Sequence, residues 1–181
     1  SLQSVLKYID YYVISDTGST DRTKEVIKDF FDKHNVRGEI YDTPWKNFGY
    51  NRSEALALAR GKADYIWMFD ADDIIEGEIT FPEKMELDGY LLNFDKVMTY
   101  QRIQIFKGDV PWIYEGVLHE HPKCLLESAL ISVIPGNYYV ISRRLGARNK
   151  DPLKYQKDAH LLEEELKNDP KNTRYMFYCA Q

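Results

Sequence analysis

Five consecutive apolar residues, Tyr65-Ile66-Trp67-Met68-Phe69, run without a break into Asp70-Ala71-Asp72-Asp73, and this junction constrains the fold more than any other stretch. A strand with one wet face alternates polar and apolar side chains. An unbroken apolar run instead predicts a strand covered on both faces, the pattern of a central strand in a parallel sheet. The turn formers that follow stop the strand at a loop loaded with carboxylates.

Upstream, the same logic recurs. Tyr11 to Ser15 is a β-branched and aromatic run that ends in Asp16-Thr17-Gly18-Ser19-Thr20-Asp21. Thr20 or Asp21 can cap a helix in which Val26, Ile27, Phe30 and Phe31 recur at helical spacing until His34-Asn35. Gly38 to Asp42 predicts a second strand, closed by Thr43-Pro44, and Asn51 opens a helix with Ala55, Leu56, Leu58 and Ala59 as its buried stripe. Such alternation argues for a parallel sheet with right-handed crossovers, at least through residue 73.

Beyond that point Gly89 to Phe94, Gln101 to Phe106 and Ala129 to Ile134 read as strands separated by turns, so antiparallel pieces join the sheet. The expected class is α/β, with a mixed, mainly parallel sheet flanked by helices. Pro152 to Lys167 carries Tyr155, Ala159, Leu162 and Leu166 at helical spacing and stops at Asn168-Asp169-Pro170; Arg174 to Gln181 starts another helix. One domain is therefore expected over residues 1–150, with residues 151–181 as a C-terminal helical segment packed on it. Leu2, Val5, Leu6 and Ile9 read as the back half of a helix whose start is absent.

With 181 residues, 44% of them hydrophobic, the chain carries enough apolar material for one ordinary domain. Its net charge of -5 supplies no field to attract a polyanion, so nucleic acid is not an expected partner. No apolar run approaches the ~20 residues that cross a bilayer, so no transmembrane segment is expected. Cys124 and Cys179 lack metal-ligand spacing, which points to free thiols in a reducing, cytoplasmic setting.

In open α/β sheets ligands sit beyond the carboxyl ends of parallel strands, and both Asp16 and the Asp70 to Asp73 cluster fall at such ends. Asp70 and Asp72 can together hold a hard divalent cation that keeps several waters and bridges diphosphate oxygens. Loop aspartates more often just end strands and cap helices. Here the cluster follows a buried strand, is matched by Asp16, and is preceded by a helix bearing Asn51 and Arg52 near its start.

Asp16-Thr17-Gly18-Ser19-Thr20-Asp21 resembles the signature of family 2 glycosyltransferases, and Asp70-Ala71-Asp72 resembles their Asp-X-Asp motif. The resemblance implies a GT-A fold, related to the Rossmann fold, a nucleotide-sugar donor expected to be UDP-linked, and Mn²⁺ or Mg²⁺ as cofactor. It also implies that Asp16 holds the base or ribose, with Ser19 and Ala71 in the same donor-binding set. Asp70 would face the ribose or the metal, Asp72 would ligate the metal, and Asn51 and Arg52 would flank the donor. The cation would act as a Lewis acid on the leaving diphosphate, and Arg52 could assist by bidentate contact unless it merely pairs with a nearby acid such as Glu54. The family's opening strand is missing ahead of Leu2.

An inverting transfer also needs a carboxylate that takes the proton of the attacking hydroxyl. Trp112 to Pro122 gathers aromatics, acids and imidazoles, and resembles the acceptor-side His-Glu segment of some family members. That similarity nominates Glu120 as the base, Glu115 as second choice, and Trp112 and Tyr114 as platforms for a sugar ring of a carbohydrate or glycosylated acceptor. Aromatics in apolar surroundings are otherwise core residues, and Glu120 could simply pair with an arginine. His119 and His121 would share a face on an extended strand and could complete the metal site, since Val140-Ile141-Ser142 has no histidine where many relatives do. Arg143, Arg144, Gly146 and Arg148 could close over the diphosphate. Two rival readings remain: a nucleotide-sugar-binding module without turnover, and a haloacid-dehalogenase-like Mg²⁺-dependent phosphatase with Asp70 as nucleophile.

Overall fold

Short-range polar contacts start two helices of the first half. The computed structural model describes residues 1–180, so Gln181, the last residue of the expected closing helix, lies outside the described residues. Helix α1 (Leu2–Val5) passes through a 3₁₀ turn at Leu6–Tyr8 into strand β1 (Tyr11–Asp16). The Asp21 carboxylate accepts the amide and hydroxyl of Thr23, fixing the entry to α2 (Thr23–Lys33). Tyr12 then stacks on Phe31 at 4.1 Å, seating α2 on β1. Strand β2 (Arg37–Asp42) runs parallel to β1, with Tyr11 opposite Arg37 and Asp16 opposite Asp42.

Helix α3 (Phe48–Ala59) begins ahead of the expected Asn51 because Asn47 caps it, its side-chain oxygen accepting the Tyr50 amide at 2.8 Å. Strand β3 (Tyr65–Trp67) follows. Then come β4 (Asp73–Gly77), β5 (Gly89–Phe94), β6 (Tyr100–Lys107), β7 (Trp112–Glu115), β8 (His121–Cys124), β9 (Ile131–Val133) and β10 (Tyr138–Ser142).

Six strands form the main sheet in the order β3-β6-β5-β10-β4, with β9 added on β5. β1 and β2 make a two-stranded parallel sheet, and β7 and β8 an antiparallel hairpin. The fold is α/β with mixed sheets, but antiparallel pairing carries more of it than expected. β5 pairs in parallel with β9 and β10, whereas β3–β6, β5–β6 and β10–β4 are antiparallel.

The apolar run at 65–69 is accordingly corrected in one respect. Among the described residues β3 is hydrogen-bonded only to β6, antiparallel, and ends the sheet instead of occupying its centre. Coverage on both faces does hold. Tyr65, Trp67 and Phe69 pack on the core of Leu92, Phe94, Ile105 and Tyr138, while Ile66 and Met68 pack on that of Leu56, Phe106, Trp112 and Tyr114. Two cores thus account for an unbroken apolar strand without parallel neighbours.

Helices α4 (Lys154–Asn168) and α5 (Thr173–Cys179) close the described chain. Leu162 and Tyr175 bury themselves against Leu118 in a third cluster that also takes in Phe48, Val117 and Tyr178. No described helix is long and apolar enough to cross a membrane.

Candidate active site

Asp16 closes β1 and is buried, with 8% exposure. It accepts the Ser19 hydroxyl at 2.5 Å and the Ser19 amide at 3.1 Å, so the Asp16 to Asp21 loop is folded around its carboxylate. Its backbone oxygen accepts the Thr43 amide at 2.8 Å, drawing the end of β2 alongside. Pro44 in turn accepts from the side chain of buried Asn51 at 3.0 Å, and the Asn51 carbonyl group receives the Lys46 amide at 2.9 Å. A hydrogen-bonded route therefore runs from Asp16 through residues 43–46 to the first turns of α3. Asn51 works there as a structural clasp for the 44–46 loop.

The next residue of α3 joins the two halves of the site. Arg52 donates from Nη2 to Asp70 Oδ1 at 2.6 Å and from Nε to Glu120 Oε1 at 2.7 Å. All three side chains are largely withdrawn from water, with exposures of 18%, 27% and 11% for Arg52, Asp70 and Glu120. Burial opposes the guanidinium charge, yet Asp70, together with Tyr114 and Glu120, outweighs it and pushes the Arg52 pKa up. Glu54, the surface partner considered from the sequence, instead lies beside Tyr50 and Asn51.

Asp72 is engaged by the segment that follows β10. Its Oδ2 accepts the Leu145 amide at 2.8 Å and the Gly146 amide at 3.4 Å, and its backbone oxygen accepts Arg143 Nε at 2.9 Å. The basic segment therefore folds onto the acidic loop through Arg143. Arg148 does not face that loop: it pairs with Asp158 of α4 and lies over the Phe48 ring.

Asp73, the last acid of the cluster, is 1% exposed, and both its oxygens lack a hydrogen-bond partner. Burial, with Asp70 and Asp72 adding like charge, raises its pKa to about 6. Among the described residues no three His, Cys, Asp or Glu side chains converge as a ready-made metal cage.

On the acceptor side the structure corrects several assignments. Trp112 is 4% exposed, packed against Phe106, and donates its indole N–H to the Asp88 carbonyl at 3.0 Å, so no sugar can lie on it. Tyr114 is 6% exposed within the same core, where burial raises its pKa. Large aromatic area is withdrawn from water more effectively in the core than at a rim. Glu115 is exposed and pairs with Lys123 at 3.0 Å.

His119 and His121 do not share a face. His119 sits in the turn before β8 with φ of 53° and stacks on Tyr178 at 3.7 Å. His121 begins β8, with Nε2 3.8 Å from Glu115. The left-handed backbone of His119 itself breaks the two-residue alternation of an extended strand. Beside this turn a cleft of about 310 Å³ opens between the first turns of α3 and β7, with Tyr50, Glu115 and Tyr175 on its walls. A larger depression lies at the opposite ends of β1 and β2, around Tyr11 and Arg37, and contains no residue of the acidic loops.

Some residues around the candidate site escaped the sequence reading. Asp73 was visible only as one of a cluster, because nothing in the sequence announces that it alone is sealed from water. Asn47 had a signal, as a cap-forming residue just before an apolar helix. Arg174 and Tyr175, which reach the turn before Glu120, had none, since those contacts join segments distant in sequence.

Residues 1–88 match the model for glycosyl transferase family 2. The chain is also 24% identical over 194 residues to the SPbeta prophage-derived glycosyltransferase SunS of Bacillus subtilis strain 168, and equally to glycosyltransferase SunS of Bacillus phage SPbeta. Each comparison covers 99% of this chain but 44% of the relative, so the chain spans less than half the length of these curated proteins. The family match contains Asp16, Arg52, Asp70 and Asp72 and stops short of Glu120. Through the segment that carries those four residues, the chain is similar to glycosyl transferase family 2.

Proposed function

We propose that this chain transfers a sugar from a UDP-linked donor to an acceptor hydroxyl of a carbohydrate or glycosylated molecule, with inversion, assisted by Mn²⁺ or Mg²⁺. The observation that carries the proposal is the Arg52 bridge, which ties Asp70 of the acidic loop to Glu120 of the acceptor segment. The candidate donor-side and acceptor-side carboxylates thus flank one guanidinium, which supports reading them as one site.

In that displacement the bond from the sugar's anomeric carbon to the diphosphate oxygen breaks as the bond to the acceptor oxygen forms. Glu120 takes the acceptor proton, and the nucleoside diphosphate leaves with the electron pair. Arg52 can turn from the carboxylates toward the diphosphate and offer it two parallel N–H groups. Asp16 and Ser19 hold the nucleoside end.

Asp72 and Asp70 would hold the divalent ion. A Mg²⁺-type ion is held by one or two carboxylates plus substrate phosphates, a ligand set that these two residues could supply. Asp73, buried beside Asp70 and Asp72, adds to the acidic character that favours a cation in this loop. When bound, the ion neutralises charge on the leaving diphosphate.

Thermal shifts with a panel of UDP-sugars, with and without Mn²⁺, test the reading, because a ligand at one hundred times its Kd stabilises by about 2.7 kcal/mol. Asp72→Asn should abolish the metal-dependent shift. Glu120→Gln should keep the shift and lose transfer; full transfer by this variant removes Glu120 as the base. A second reading, a binding module without turnover, draws on the engagement of Glu120 by Arg52. It predicts the same shifts and no sugar release from wild type.

A further inference from the structure

We infer that helix α5 positions the candidate base, with Arg174 and Tyr175 as the positioning residues; the inference rests on the reading of Glu120 given above. Glu120 follows a turn, Gly116 to His119, that joins β7 to β8. Each of its last three residues is held by α5 or its neighbours. The Val117 amide donates to the Tyr175 hydroxyl at 2.9 Å. Leu118 is 5% exposed and packs with Leu162 and Tyr175. The His119 ring lies flat on Tyr178, 3.7 Å between centroids and 7° between planes.

The decisive contact is at the His119 carbonyl, which accepts Nε of Arg174 at 3.0 Å and Nη2 at 2.7 Å. That oxygen belongs to the peptide group whose nitrogen is the Glu120 amide. Because the peptide is planar, pinning the oxygen fixes the plane from which the Glu120 side chain departs. His119 holds a φ of 53°, a left-handed conformation that a non-glycine residue keeps only when its surroundings impose it.

The other side of the turn is anchored to α3. Phe48 donates its amide to Val117 at 3.3 Å and Gly49 donates to Gly116 at 3.1 Å. Arg52, three residues further along α3, then receives Glu120. Glu120 is therefore held between two helices: α3 sets the partner of its carboxylate, and α5 sets its backbone. A rigid support of this kind is what a proton acceptor needs, since small misplacements of a reacting group cost large factors in rate.

The test uses the whole chain and two readouts. Turnover is followed as UDP release and sugar transfer from UDP-glucose and UDP-N-acetylglucosamine with Mn²⁺, and amide exchange of the 116–121 segment is followed by mass spectrometry. Arg174→Ala should lower kcat by about tenfold to a hundredfold while the donor KM and thermal shift stay unchanged. Exchange in 116–121 should quicken, with exchange in β3 and β4 unaltered. Arg174→Lys, which still donates to the carbonyl, should recover part of kcat. Tyr175→Phe keeps the ring packing, so the chain folds, and it should show a smaller loss of the same kind. Unchanged exchange in both variants, or quickened exchange with unchanged kcat, overturns the inference. A wild-type chain with no turnover overturns the transferase reading instead, and the exchange data alone then decide whether α5 holds the turn.

Discussion

Removing Arg52 tests the centre of the site, and its size can be worked from the contacts. Arg52→Met keeps the length and apolar stem of the side chain and deletes two charge-assisted hydrogen bonds of 2.6 and 2.7 Å. Bonds to charged groups contribute about 1.5–3 kcal/mol each, and stripping the partner from a buried ion pair costs about 3–5 kcal/mol. Asp70 is 27% exposed and regains some water, so the lower end applies. A loss of about 3 kcal/mol is therefore expected in urea unfolding at neutral pH with an unchanged m-value. Glu120→Gln and the double variant complete a cycle, in which Arg52 and Glu120 should couple by about 1–2 kcal/mol. A single-variant loss below about 0.5 kcal/mol, in the range of ordinary surface substitutions, would mean the bridge holds nothing together.

Three further outcomes follow from the same coordinates. Folding raises the Asp73 carboxyl from 3.8 to about 6, so the folded chain keeps a proton that the unfolded chain releases, and stability falls as pH climbs through that interval. Asp73→Asn, melted without added metal, should gain about 1.5 kcal/mol more at pH 8 than at pH 5, and an equal gain at both refutes the buried charge. A methyl group on Gly49 would lie 2.2 Å from the Gly116 backbone oxygen, so Gly49→Ala should cost at least about 2 kcal/mol and also slow transfer by shifting the turn before Glu120; melts and rates matching wild type would show that the contact gives way freely. Asn47→Ala removes the cap of α3 and should cost about 1 kcal/mol in the same melts, with no loss meaning that the Tyr50 amide finds water instead.

The first half of the molecule was legible because its elements are written locally. Strand runs ending in turn formers, and the apolar spacing in α2 and α3, depend only on near neighbours, and their positions came out within a few residues. What the sequence could not carry was pairing. The run at 65–69 is apolar on both sides for a physical reason that was read correctly, but two separate cores satisfy that pattern as well as parallel neighbours do. The acceptor segment failed in the same way. Trp112 and Tyr114 look identical in sequence whether they line a rim or fill a core, and only the packing of Phe106 and Leu56 decides it. The face-sharing expected of His119 and His121 fails because His119 is itself left-handed, and the groups that contact it, Arg174 and Tyr178, lie far along the chain. Arg52 lay open between a surface pair and a site contact until the coordinates placed Asp70 and Glu120 on either side of it.

Strand β3 is only three residues long, yet its side chains are divided between two interiors, odd positions to one and even positions to the other. Displacement by a single residue would send every ring into the wrong compartment and drag the acidic loop past Arg52 by one step. The strand thus acts as a ruler for the acidic loop that follows it. Inserting or deleting one residue between Tyr65 and Phe69 should be far less tolerated than the same edit in the exposed 95–99 hairpin tip, where no such gauge exists.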